Sequence, residues 1–185
     1  MDRTQKRKRA TGERFVAVAQ ERGTVLIERT NLGTFKAPWV RSTDTESAVS
    51  EPLVFNLHSG GYALNDGDAS LYTAVAFAEL QQLESISIDY RLTPQHPYPA
   101  ALEDAVTAYA VLKRKMPKRP VVFCGPSAGG GLGAASLLKI KQLGLSMPEA
   151  AGLNTPWSDV SLDTDTLATL DCHDPLLGGS SDVID

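Results

Sequence analysis

Cysteine is nearly absent: Cys124 and Cys172 are the only two in 185 residues, and they form no C-x-x-C pattern. A disulfide framework and a cysteine-based zinc site are thereby excluded, no metal is expected, and a reducing, cytoplasmic setting is. No uncharged apolar run approaches the roughly 18 residues that a membrane span needs. The basic start is followed by no apolar segment of secretory type, so no signal peptide is expected. Net positive charge is confined to the start of the chain as well. The first nine residues hold five bases and one acid, or +4, and the rest of the chain carries −8, which leaves the total at −4. From Asp159 to Asp185 there are seven Asp and no Lys or Arg. An acidic body lacks the basic face that nucleic-acid recognition requires, so no nucleic-acid partner is expected. The KRKR run at 6–9 reads as a solvated, frayed terminus, with an anion-binding or localisation patch as the alternative.

What is present is a globular composition, 42% hydrophobic and 22% charged, with a length that suggests one domain. Three parts are expected: a disordered basic tail at 1–14, a core at 15–160, and an unassigned acidic tail at 161–185. FVAVAQ at 15–20 and TVLIER at 24–29 read as an opening pair of strands, with Arg22-Gly23 as the turn and Asn31-Leu32-Gly33 as a second turn. Residues 41–52 read as a loop. Strands and helices then alternate. LVFNL at 53–57 has the continuous apolar character of a buried central strand. A helix is expected over 70–83 with Ser70 as N-cap, a strand over 85–90 and a helix over 98–115. A strand over 120–125, a helix over 127–144 and a strand within 149–157 complete the series. Such alternation implies an α/β fold, a mostly parallel sheet with helices on both faces, because parallel strands need crossover connections.

The strongest local signal is PVVFCGPSAGGGLG. It places Gly125-Pro126-Ser127-Ala128-Gly129, a G-x-S-x-G, between a strand and a helix, as a nucleophile elbow requires. A serine on such a tight turn needs neighbours without bulk, and the helix N-terminus aims free N–H groups at the same place. No Lys follows the glycines, so a P-loop is excluded. A second signal, His58-Ser59-Gly60-Gly61-Tyr62, follows the central strand. A glycine pair can turn its amides toward the elbow, where acyl chemistry builds negative charge on a carbonyl oxygen. Gly60, Gly61 and the amide of Ala128 are the oxyanion-hole candidates.

A third segment, DYRLTPQHPYPAALED at 89–104, and a fourth, TPWSDVS from Thr155, complete a pattern. With HSGGY and GPSAGGG, they stand in the order found in the hormone-sensitive-lipase-like family of α/β-hydrolases, which the chain resembles over roughly 33–160. The resemblance implies the α/β-hydrolase fold and a carboxylic-ester hydrolase acting on short or medium acyl esters through an acyl-enzyme, without cofactor. It puts the nucleophile on Ser127 and the oxyanion amides on Gly60, Gly61 and Ala128. It makes His58 a loop-shaping residue, and His96 a structural one. Asp89, Tyr90 and Arg91 are expected to anchor the loop leaving their strand, and Trp157 and Asp159 to order the strand end near the site. Three departures stand out. Ser59 replaces a loop glycine, Gln95 a glutamate, and Pro126 the aspartate beside the nucleophile.

A serine hydroxyl needs an oriented base, and this fold supplies acid and histidine after the serine. The family's acid loop and closing His-Gly-Phe motif are not in the sequence, so the fold is expected to be incomplete at the C-terminal end, with the triad acid and base beyond Asp185. His173 is the one histidine after Ser127 and a weak candidate for the base. Turnover by these 185 residues alone is therefore expected to be weak. A non-catalytic hydrolase-like protein is the alternative function. An uncovered sheet edge is expected to promote self-association.

Overall fold

A computed structural model describes residues 3–44, 51–161 and 169. It opens with a helix, α1 (Arg3–Arg22), where a disordered tail at 1–14 and a strand at 15–20 were expected. The apolar residues of FVAVAQ obey two periods. Their Val content suggests a strand, but Val16 and Ala19, three apart, are the pair that the fold buries. Ala, Gln, Glu and Arg around them are good helix formers. Gly23, with φ +68, ends the helix, its N–H donating to Gln20 O at 3.0 Å.

Four short strands follow: β1 (Val25–Glu28), β2 (Asn31–Leu32), β3 (Phe35–Lys36) and β4 (Trp39–Ser42). The expected turn at 31–33 is a small β2–β3 hairpin. Next come β5 (Leu53–Leu57), a 3₁₀ turn at Gly67–Leu71, α2 (Tyr72–Gln81), β6 (Ser85–Ile88), α3 (Ala100–Lys115), β7 (Val121–Pro126), α4 (Ala128–Gln142) and β8 (Ala150–Asn154). Ser70 does not cap α2. It is buried inside the 3₁₀ turn, with its hydroxyl donating to Gly67 O at 2.7 Å.

The main sheet has the order β1-β4-β6-β5-β7-β8, and β6, β5, β7 and β8 run parallel. β5 is buried throughout and alternates between two cores. Leu53, Phe55 and Leu57 join the core under α3 and α4, where Phe55 stacks on Phe123 with ring centroids 4.8 Å apart. On the other face Asn56 donates to Ser87 Oγ at 2.8 Å, beneath the 3₁₀ turn. There α1 and α2 close a second core of Val16, Ala19, Val40, Leu71, Val75 and Ala78. The chain leaves β5 toward β6 on one side and returns past it to β7 on the other. The carboxyl ends of β5 and β7 therefore flank the switch point where such sheets form a crevice. Among the described residues, no helix is long and apolar enough to cross a membrane.

Candidate active site

Because β5 and β7 are hydrogen-bonded neighbours, with Leu53 opposite Val121 and Asn56 opposite Cys124, the segments leaving them emerge side by side. One is the loop from His58, the other the turn at Ser127.

Ser127 sits between β7 and α4 with φ +55 and ψ −121, a backbone conformation that side-chain-bearing residues rarely adopt. Such a residue costs about 1–3 kcal/mol and persists only where its surroundings hold it. Its N–H donates to Asn154 O at 2.9 Å, and its carbonyl accepts the N–H groups of Gly131 and Trp157 at 3.0 Å. The end of β8 and the loop after it thus hold the turn. Gly129 lets the first turn of α4 lie on the end of β5: a Cβ there would come within 2.0 Å of Leu57 O and 2.6 Å of His58 O. Ala128 is buried at the start of α4, where helix amides have no intrahelical acceptor.

The loop after β5 is held from several directions. Gly60 has φ +129 and Gly61 φ +60, and the Gly60 carbonyl accepts the N–H groups of Ala63 and Leu64 at 3.1 and 2.9 Å. His58 is buried and stacks on Tyr90, with ring centroids 4.0 Å apart. Its Nδ1 lies 2.8 Å from Ser59 O; a carbonyl only accepts, so Nδ1 carries the proton. Burial pushes the His58 pKa below its ordinary value and keeps the ring neutral. The Tyr90 hydroxyl donates to His58 O at 2.7 Å, and burial raises its pKa strongly. Asp89 accepts the Gly67 N–H at 3.0 Å, and Arg91 binds Asp104. The expected anchoring roles of Asp89, Tyr90 and Arg91 thus have physical partners, each from another segment.

Trp157 lies against this loop, its ring 6.0 Å from that of Tyr62, while its N–H ties to Ser127. Asp159 behaves differently from the expectation. It is exposed, and it accepts the N–H and O–H of Ser161 at 2.9 and 2.7 Å, so it shapes a local turn after the strand rather than the strand end. His96 is exposed in the 93–99 turn. Among the described residues, no side chain is hydrogen-bonded to Ser127 Oγ. His173 lies outside the described residues.

Two supporting residues escaped the sequence reading. Asn65, at φ +71, donates from Nδ2 to Ser59 O at 3.1 Å and to Ser59 Oγ at 3.4 Å, fixing the residue that replaces a glycine. The Asn-Asp-Gly triplet at 65–67 was its turn signal. Asp104 is buried, and its signal was a lone acid in the apolar row 100, 104, 108, 112 of α3.

Comparison with known proteins agrees with this geometry. The sequence pattern of the α/β hydrolase fold family matches residues 54–178. An acetyl-hydrolase of Streptomyces hygroscopicus is 31% identical over 147 residues, covering 79% of this chain and 48% of that protein. An esterase of Acinetobacter venetianus is 30% identical over 131 residues, covering 70% and 43%. The chain thus spans about half the length of the curated relatives it matches. Among solved structures, a hormone-sensitive lipase from a metagenome library superposes with a TM-score of 0.76 at 30% identity, covering 92% of this chain and 58% of that one. An esterase/lipase from an uncultured bacterium gives 0.73 at 32%, covering 83% and 52%. With Ser127 on a strand-to-helix turn beside a paired-glycine loop, the chain belongs to the α/β-hydrolase fold family, in its hormone-sensitive-lipase-like branch.

Proposed function

We propose that the protein hydrolyses carboxylic esters of short or medium acyl chains through Ser127. The observation that carries this reading is the backbone of Ser127, strained at φ +55 and placed where α4 begins, beside the glycine loop of the neighbouring strand. Ser127 Oγ attacks the acyl carbonyl, and the amides of Gly60, Gly61 and Ala128 receive the oxyanion. Collapse of the intermediate expels the alcohol and leaves an acyl-enzyme, and water then releases the acid. The Ser127 proton needs an imidazole. His58 bonds Ser59 O through Nδ1 and is buried in a stack on Tyr90, so it is assigned to shaping the loop. His173 is the candidate base in the sequence. Asp89 and Arg91 support the loops through Gly67 and Asp104. No cofactor enters this chemistry.

A second reading, a hydrolase-like binding fold without turnover, rests on the lack of an acceptor for Ser127 Oγ among the described residues. Hydrolysis of p-nitrophenyl acetate and butyrate by the chain and by Ser127→Ala separates the two. Weak turnover that the substitution abolishes supports the esterase. Equal rates in both proteins overturn the nucleophile assignment. Self-association is proposed at β8, an edge strand among the described residues whose Ala150, Ala151, Gly152 and Asn154 are exposed.

A further inference from the structure

The basic start of the chain is part of a helix, and its arginines have a direction. α1 carries seven bases and two acids, or +5, which leaves the rest of the chain at −9. Arg7, Arg14 and Arg22 are seven and eight residues apart, which spaces them by about 10 and 12 Å along the axis and within roughly 80° around it. They lie opposite Val16, the buried side of the helix, and all three are exposed. Among the described residues, none of their guanidinium groups pairs with a carboxylate. Arg9 differs, being paired with Glu13 and Asp66 at 2.9 Å. Of the acids near this face, Glu13 belongs to Arg9, Glu79 accepts the Thr24 hydroxyl, and exposed Glu21 faces outward beside Arg14.

Apolar groups flank the arginines. A cleft of about 330 Å³ between α1 and α2 is lined by Thr11, Arg14, Phe15, Val18, Arg22 and Glu79, with Ala19 at its floor. Phe15 packs on Tyr72 with centroids 4.7 Å apart, and Tyr72 is 49% exposed. Leu80, also on α2, is 77% exposed. Unpaired arginines beside a cleft with Phe15 and exposed Tyr72, together with exposed Leu80 elsewhere on α2, give the helix pair the composition of a surface that lies in a lipid interface.

We propose that the α1–α2 face docks on an anionic phospholipid surface. Arg7, Arg14 and Arg22 meet the headgroup phosphates, and Tyr72 and Leu80 enter the acyl boundary. Charge complementarity selects the partner: the unpaired cations demand an anion, and the exposed apolar groups on the same helix pair favour a lipid over a fully hydrated polyanion. The remaining −9 is repelled by the same surface, so the molecule is oriented with α1 toward it. The proposal is independent of the esterase reading, because it is measured by binding alone.

The test is co-sedimentation of the 185-residue chain with vesicles of phosphatidylcholine, alone or with 30% phosphatidylglycerol, at low and high salt. Binding at least about tenfold tighter to the anionic vesicles, weakened by salt, is expected. Arg14→Glu/Arg22→Glu is expected to lose about tenfold or more while melting like the parent. Leu80→Asp, at an exposed position, is expected to weaken anionic-vesicle binding without touching any arginine. Equal binding to both vesicle types, undiminished binding by the Arg14→Glu/Arg22→Glu variant, or tighter binding to polyglutamate or a DNA duplex than to vesicles overturns the proposal.

Discussion

Arg91 grips Asp104 with two prongs: Nη2 donates to Oδ1 at 2.7 Å and Nε to Oδ2 at 2.9 Å, while the Arg91 backbone N–H donates to Oδ2 at 2.9 Å. The pair joins the segment after β6 to the first turns of α3, and it is asymmetric. The Asp104 side chain is 1% exposed and that of Arg91 45%. Removing the arginine strands a buried carboxylate, whereas neutralising the acid frees a cation that water already reaches. Arg91→Ala is therefore expected to lower the melting temperature more than Asp104→Asn. Thermal melts of both single variants and the double decide it, and the reverse order would refute the asymmetry.

Ser127→Ala should abolish labelling by a fluorophosphonate and reduce p-nitrophenyl butyrate hydrolysis by at least about a thousandfold where turnover is measurable. Persistence of label on the alanine variant would move the nucleophile elsewhere.

Gly60→Ala tests the loop. At φ +129 the new Cβ would stand 2.3 Å from Leu64 O, so either Leu64 or the loop must shift. Loss of one aligned amide donor predicts a fall in kcat of about 10²–10³. The strain predicts a stability loss of about 1–3 kcal/mol, read by denaturant titration. Wild-type kcat in this variant would remove Gly60 from the oxyanion hole.

His58 makes stability depend on pH. Burial holds its folded-state pKa below that of the unfolded chain, so its contribution is complete above the unfolded pKa of about 6.5 and is lost as pH falls below it. One proton sets a limit of about 1.4 kcal/mol per pH unit. The melting temperature should fall between pH 7 and 5, and His58→Phe, which keeps an aromatic ring against Tyr90, should flatten that slope. An unchanged slope would place the titration elsewhere.

The β8 edge predicts concentration-dependent association, measurable by sedimentation velocity. Ala151→Lys puts a charge on this exposed edge and should shift the distribution toward monomer. A monomer at all concentrations in the parent chain would dismiss the edge as an interface.

The chain by itself determined the order of strands and helices from residue 53 onward and the place of Ser127. LVFNL and PVVFCG are short Val- and Phe-bearing apolar runs bounded by Pro and by turn residues, the signature of strands, and glycines where backbones touch can be read without coordinates. At the N-terminus it misled, because FVAVAQ fits two periods in isolation. Only burial of Val16 and Ala19 against α2 selects the helix, since propensity alone is weaker than packing. Partners across the fold were equally hidden. Asp89 meets Gly67, and Asp104 meets Arg91, through contacts that depend on where separate segments come to rest. The bases of α1 showed as a charge run in sequence; tertiary packing paired Arg9 with Asp66 and left Arg7, Arg14 and Arg22 facing outward, because the helix can bury only one side.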